Sequence, residues 1–251
     1  MRAMAQALIR AALGTGFTFL MTVLGAATVF LMRGRAAARS EKAFLGFAAG
    51  VMTAASVWSL LLPALERAAE GALPAWMPCA IGLTAGMVFL SGLDIVLPRL
   101  HRQETWRRNT LLMAAITLHN VPEGMAVGLA FALARDSATL AAASALALGI
   151  GIQNFPEGAA ISLPMRQQGV GRGRAFLYGA ASGVVEPIFG MAVLLCAAGA
   201  ERWMPWLLSF AAGAMLYVVV AELVPQAKGL AGTAGFGVGF LIMMVLDVAL
   251  G

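Results

Sequence analysis

Charge is what this sequence has least of: Asp, Glu, Lys and Arg make up 12 % of its 251 residues, against roughly 25 % in a soluble domain. A chain so poor in charge cannot cover a water-facing surface of ordinary composition. Cysteine is almost missing as well. Cys79 and Cys196 stand alone in separate apolar runs, so neither a disulfide framework nor a zinc knuckle is available, and both read as packing residues. The net charge of +5 would suggest nucleic acid in a soluble protein. Here the basic residues gather in short loops, so no nucleic-acid partner is expected and their role is to set membrane orientation.

Hydrophobic residues fill the space that charge leaves, at 61 % of the chain, with a mean hydropathy of +0.85. Runs 11–32, 43–65, 71–93, 203–221 and 229–246 contain no charge, and about 18 such residues suffice to cross a bilayer as a helix. The expectation is an all-α polytopic membrane protein of eight transmembrane helices, over 11–32, 43–65, 74–97, 109–134, 138–163, 175–199, 203–224 and 230–250. The first run is longer than the apolar region of a cleaved signal and reads as a retained span. Connections are short, so residues 1–251 form a single transmembrane domain. Assigning loops alternately puts twelve of the 17 Lys and Arg residues on one side, including Arg33, Arg99, Arg166 and Lys228. The positive-inside rule makes that side cytoplasmic and leaves both termini outside.

Two strings repeat. Phe47-Ala48-Ala49-Gly50-Val51-Met52 of span two returns as Phe210-Ala211-Ala212-Gly213-Ala214-Met215 of span seven, each followed by a proline, Pro63 and Pro225. His119-Asn120-Val121-Pro122-Glu123-Gly124 of span four returns as Gln153-Asn154-Phe155-Pro156-Glu157-Gly158 of span five. Both pairs are antiparallel in the expected topology, the pattern of inverted-repeat transporters, whose sites lie near the midplane on interrupted helices. Small-residue strings also recur by chance in Ala/Gly-rich membrane helices, which weighs more against the first pair than the second.

The second pair carries the chemistry. Residues three and four apart share a helix face, so His119 and Asn120 flank Glu123, while Gln153 and Asn154 flank Glu157. Pro122 and Pro156 supply no N–H, which predicts a bend and free carbonyls at Leu118 and Ile152, tolerated at this depth only beside a cavity or packed protein. Glu186 is a third deep carboxylate, in span six. Each costs roughly 3 kcal/mol at the membrane centre, about 9 kcal/mol together if ionised, and no Lys or Arg lies at the same depth. Protonation or a bound cation must offset this. Carboxylates, one imidazole and amides without thiolate suit zinc, iron, manganese or cadmium, and two shared glutamates could bridge two ions. The competing structural reading is a hydrogen-bonded helix–helix network of protonated glutamates.

At these residues the chain resembles the ZIP family of divalent metal transporters, and the HNVPEG and QNFPEG pair is similar to that of its GufA-type members. The resemblance extends over essentially the whole chain: span number, outside termini, and signatures in spans two, four, five and six. It implies a homodimeric eight-helix carrier, with repeats arranged 3+2+3, moving zinc or a related divalent ion into the cytoplasm across a bacterial inner membrane. It implies no organic cofactor; the ions, two per protomer, are the substrate. His119, Glu123, Gln153 and Glu157 would form one metal site, with Met52 as a thioether ligand. Asn120, Asn154 and Glu186 would complete a second that shares Glu123 and Glu157.

Further polar groups mark an expected path: Ser59 along the face below Met52, Glu66 and Asp247 at the outer entrance, and Asp94, His101 and Glu222 towards the cytoplasm. Two features depart from the wider family. The loop between spans three and four holds only His101 where many members have a histidine-rich segment, and Gln153 replaces a histidine found in many zinc importers. Two alternatives stand beside transport of metal. An intramembrane metal-dependent hydrolase would use the cluster to activate water, although no HExxH pairing occurs and one deep histidine holds catalytic zinc poorly; the expectation is that the chain is not an enzyme. A proton-driven carrier of organic solutes would titrate the glutamates instead.

Overall fold

The computed structural model describes residues 2–31, 36–100, 104–134, 136–195 and 197–250. No strand occurs among them, and their helices line up as eight rods. These are α1 (Arg2–Ala27, ending in the 3₁₀ turn Thr28–Phe30); α2 (Ala36–Ala55, then Ser56–Leu61 and Leu62–Ala69); α3 (Trp76–Leu100); and α4 (Glu104–Leu133). They continue with α5 (Ser137–Gln167); α6 (Arg172–Ser182, then Val185–Leu195); α7 (Ala197–Val218, then Val219–Leu223 and Val224–Gln226); and α8 (Leu230–Leu250).

Seven of the rods are long and apolar enough to cross a membrane. The one that falls short is α4, although its 30 residues exceed the roughly 20 a crossing needs. Its apolar character is diluted by the HNVPEG string. The fold is inside out relative to a soluble protein. Polar His119, Glu123, Glu157 and Glu186 are buried, while Val88, Phe89, Ile95, Leu241 and Val245 are exposed, as expected for a surface solvated by lipid tails.

The rods pack in pairs: α1 on α5, α4 on α6, α2 on α8 and α3 on α7. The first two pairs contact each other and form one group, which meets the group of the other four rods through α4 on α7 and α5 on α2. Small residues let the pairs approach closely. A Cβ on Gly124 would strike the Glu186 backbone, and one on Gly158 would strike the Thr22 carbonyl. The last residue of each motif therefore sets how near α4 comes to α6 and α5 to α1.

Helices α4 and α5 continue through Pro122 and Pro156, where neighbouring helices make a missing N–H tolerable at membrane depth. The breaks are in α2, α6 and α7. Ser56–Leu61 and Val219–Leu223 are π turns, in which Leu62 N–H donates to the Val57 carbonyl and Val224 N–H to the Val219 carbonyl. Each turn places the following proline, Pro63 or Pro225, in the first turn of the next helix, where no N–H is required. In α6 the chain turns at Gly183 and Val184, just before Glu186.

Candidate metal site

The antiparallel α4 and α5 bring the two motifs face to face. Their connection is short and fixed by a capping box: the Thr139 N–H donates to Asp136 Oδ1 at 2.8 Å, and the Asp136 N–H to Thr139 Oγ1 at 3.2 Å. Those Thr139 hydrogen bonds hold the Asp136 carboxyl below its ordinary pKa.

Between the motifs, His119 Nε2 lies 3.0 Å from Glu123 Oε1 and 3.4 Å from Glu157 Oε1. Gln153 Nε2 is 2.8 Å from His119 Nε2 and donates to Glu157 Oε1 at 3.1 Å and, at closer range, to Glu123 Oε1. One ligand atom from each of His119, Glu123 and Glu157 falls within 4.8 Å of the others. All three side chains are buried, at 0 %, 1 % and 0 % exposure. On its other side Gln153 Oε1 accepts from Ser59 Oγ at 3.4 Å, and Ser59 Oγ also donates to Asp247 Oδ1 at 2.8 Å. Ser59, Glu66 and Asp247 line one cavity of about 560 Å³ with Arg67 and Glu70. A hydrogen-bonded line thus joins that cavity to the histidine cluster.

The asparagines face α1 and α6. Asn154 Nδ2 donates to Glu186 Oε2 at 2.8 Å and to the Thr18 carbonyl at 3.2 Å; Thr22 Oγ1 donates to Glu186 Oε1 at 3.3 Å. Asn120 Nδ2 donates to the Ser182 carbonyl at 3.1 Å. Each amide thereby spends its donor end on the scaffold and turns its oxygen inward. Asn120 Oδ1, Asn154 Oδ1, Glu123 Oε2 and Glu157 Oε2 are buried without a hydrogen-bond partner, as is His119 Nδ1. Buried polar atoms are normally paired. Four acceptor oxygens left unpaired on two adjoining motifs are suited to a cation.

The structure thus gathers His119, Asn120, Glu123, Gln153, Asn154, Glu157 and Glu186 into one buried cluster. Met52 is fully buried in the apolar core together with Met215, whose Sδ accepts from Ser56 Oγ at 2.9 Å. Asp94 Oδ2 accepts from Tyr217 Oη at 2.9 Å. Glu222 differs from a solvated helix end: it lies within the π turn of α7 at 4 % exposure. His101 lies outside the described residues. Thr18, Thr22 and Ser182 join the site without having been singled out from sequence. The one signal was the three- and four-residue spacing of Thr15, Thr18 and Thr22, all fully buried.

Comparison with known proteins fits this geometry. Residues 98–247 match the family model described as ZIP Zinc transporter. The chain belongs to the ZIP family. Among its ZIP relatives, zinc transporter ZIP11 of Homo sapiens is 37 % identical, the match covering 98 % of each chain. Zinc transporter ZIPB of Bordetella bronchiseptica is 39 % identical over 96 % of this chain and 81 % of the relative. Zinc transporter GufA of Myxococcus xanthus is 33 % identical over 92 % and 94 %. As a ZIP protein with apolar helices of spanning length, the chain is a multi-pass membrane protein. Both copies of the glutamate motif lie inside the matched ZIP region.

Proposed function

We propose that this ZIP chain carries divalent transition-metal ions, zinc foremost, across the membrane into the cytoplasm. The observation that carries the reading is the set of unpartnered oxygens on Asn120, Glu123, Asn154 and Glu157 beside the His119, Glu123 and Glu157 triad. One ion would bind His119, Glu123, Gln153 and Glu157, with Met52 as an added thioether. A second would bind Asn120, Asn154 and Glu186 and share both motif glutamates. Carboxylate, amide and imidazole donors suit zinc and its neighbours, and two bound dications would offset the buried negative charge that is otherwise costly at this depth. To reach the cluster, ions would enter past Glu66, Asp247 and Ser59 and leave past Asp94, Glu222 and His101. ZIP relatives named as zinc transporters favour this over the hydrolase and organic-solute readings.

The packing pairs support a 3+2+3 inverted repeat within one domain of eight spans. Exchanging α1 with α6, α2 with α7, α3 with α8 and α4 with α5 turns the α1–α5 contact into α6–α4 and the α2–α8 contact into α7–α3. The grouping also extends the moving part. A pair of α4 and α5 rocking alone would have to break the α1–α5 and α4–α6 contacts, so α1, α4, α5 and α6 would move together against α2, α3, α7 and α8. The basic-residue bias supports both termini lying outside; a bacterial inner membrane and a homodimer belong to the same reading, carried by the ZIP resemblance. Zinc uptake into proteoliposomes tests the reading. Glu123→Ala and Glu157→Ala should each abolish uptake, and unaltered uptake in both would sink the proposed site.

A further inference from the structure

A second cavity, of about 590 Å³, bridges the two helix groups and includes none of the candidate metal ligands in its walls. Its walls are Phe89 and Leu93 of α3; Thr110, Met113, Ala114, Thr117 and Leu118 of α4; Met165 of α5; Val170 of the α5–α6 turn; and Tyr178 of α6. The α4 residues follow a three- and four-residue spacing, so the groove runs along that helix for about 12 Å. Phe89 and Tyr178 are 47 % and 46 % exposed, so the groove opens sideways, where lipid tails lie.

One end of the groove is basic. The α5–α6 turn closes by Val170 N–H donating to the Met165 carbonyl at 3.1 Å and Gly169 N–H to the Arg166 carbonyl at 3.1 Å, with Gly169 at φ +88°. This glycine-terminated helix end draws two groove-lining residues, Met165 and Val170, together beside Arg166 and Arg172. Arg166 Nη1 donates to the Val170 carbonyl at 3.2 Å, keeping that guanidinium over the turn. Arg172 Nε is buried without a hydrogen-bond partner. An apolar trough with two arginines beside its closing turn matches one ligand chemistry: a hydrocarbon tail carrying a phosphate.

We infer that this groove binds one anionic phospholipid, its acyl chain along α4 and its phosphate at Arg166 and Arg172. Guanidinium groups bind phosphate in charge-assisted, often bidentate fashion, and juxtamembrane basic residues attract anionic lipid. None of the candidate metal ligands lines this groove. Because it spans α3 on one side and α4, α5 and α6 on the other, a lipid lodged there touches both groups that the proposed transport cycle displaces.

The test uses the full-length protein in nanodiscs with a phosphatidylglycerol bearing a photoactivatable diazirine on its acyl chain, read by peptide mapping. Labelling is expected on Met113, Thr117, Met165 and Tyr178, and the same probe with a choline headgroup should label them much less. Replacing Arg166 and Arg172 by Gln should lower labelling by about fivefold per arginine, with metal binding unchanged. Ala114→Phe should exclude the chain while leaving the arginines in place. Equal labelling by the two headgroups, labelling spread evenly over other lipid-facing residues such as Val88 and Leu241, or cross-linking to a second copy of the chain would each overturn the inference. So would unchanged labelling in a folded Ala114→Phe protein. Should that variant fail to fold, the arginine variants decide alone.

Discussion

The two halves of the candidate metal site are built differently. On the histidine side, His119, Glu123, Gln153 and Glu157 contact one another across the motif pair. On the asparagine side, Asn120, Asn154 and Glu186 are held from outside by Ser182, Thr18 and Thr22. The ionisable groups of one half are thus joined within α4 and α5, with Ser59 of α2 reaching Gln153, while the other half depends on how α1 and α6 pack against them. The contrast teaches that a repeated motif need not give two equivalent sites. The two asparagines hold different partners because α6 meets Asn120 through Ser182 while α1 meets Asn154 through Thr18.

The largest effect is expected where both halves lose their frame at once. Gly158→Val would drive a side chain into the Thr22 carbonyl, separating α5 from α1, and the protein should fail to yield a cooperative thermal unfolding transition. Next, His119→Ala removes a ligand from the histidine half alone. It should weaken binding there by more than about 100-fold, beyond the range for outer-shell partners, while equilibrium dialysis still finds ion at the asparagine half. Loss of both ions would show that the halves are not separable. Thr22→Val should reduce affinity in the asparagine half by about tenfold, in the range for partners that orient a ligand, without altering the first ion. Gln153→His would make the two motif copies match and shift competition for binding towards zinc over manganese by roughly tenfold or less, since imidazole suits the softer ion. Asp136→Ala lies outside both halves and should lower the thermal midpoint by no more than a few degrees, as for loss of a helix cap. Because the folded Asp136 carboxyl is held below its ordinary pKa, its contribution is present at neutral pH. It is lost as pH falls through that lowered value, and a pH titration of the Ala variant should lack this component.

Much of this cluster is legible in sequence because its geometry is local. His119 and Glu123, four apart on one helix, must share a face, and duplication of the motif brings the second carboxylate. The asparagine half was only partly legible. Thr18, Thr22 and Ser182 reach it through helix–helix packing between residues far apart in the chain, which spacing does not encode. The prolines of the motifs do not end their helices: α4 and α5 run on through Pro122 and Pro156. The interruptions fall instead in α2 and α7, where the repeated Phe-Ala-Ala-Gly string precedes a π turn. Glu222, placed near a helix end by sequence, lies in that turn of α7 and is buried.

The short connection between α4 and α5 has a consequence for how the chain is made. The polar string keeps α4 from being apolar enough to qualify as a span, yet α5 qualifies, and only the capped segment at 134–136 separates them. During synthesis α4 would be a poor candidate to leave the translocon for lipid by itself. Tethered so closely to α5, it can enter as half of a hairpin, its carboxylates screened by its partner from the start. Comparing insertion of α4 alone with insertion of the α4–α5 pair would measure this directly, and equal efficiency would refute it.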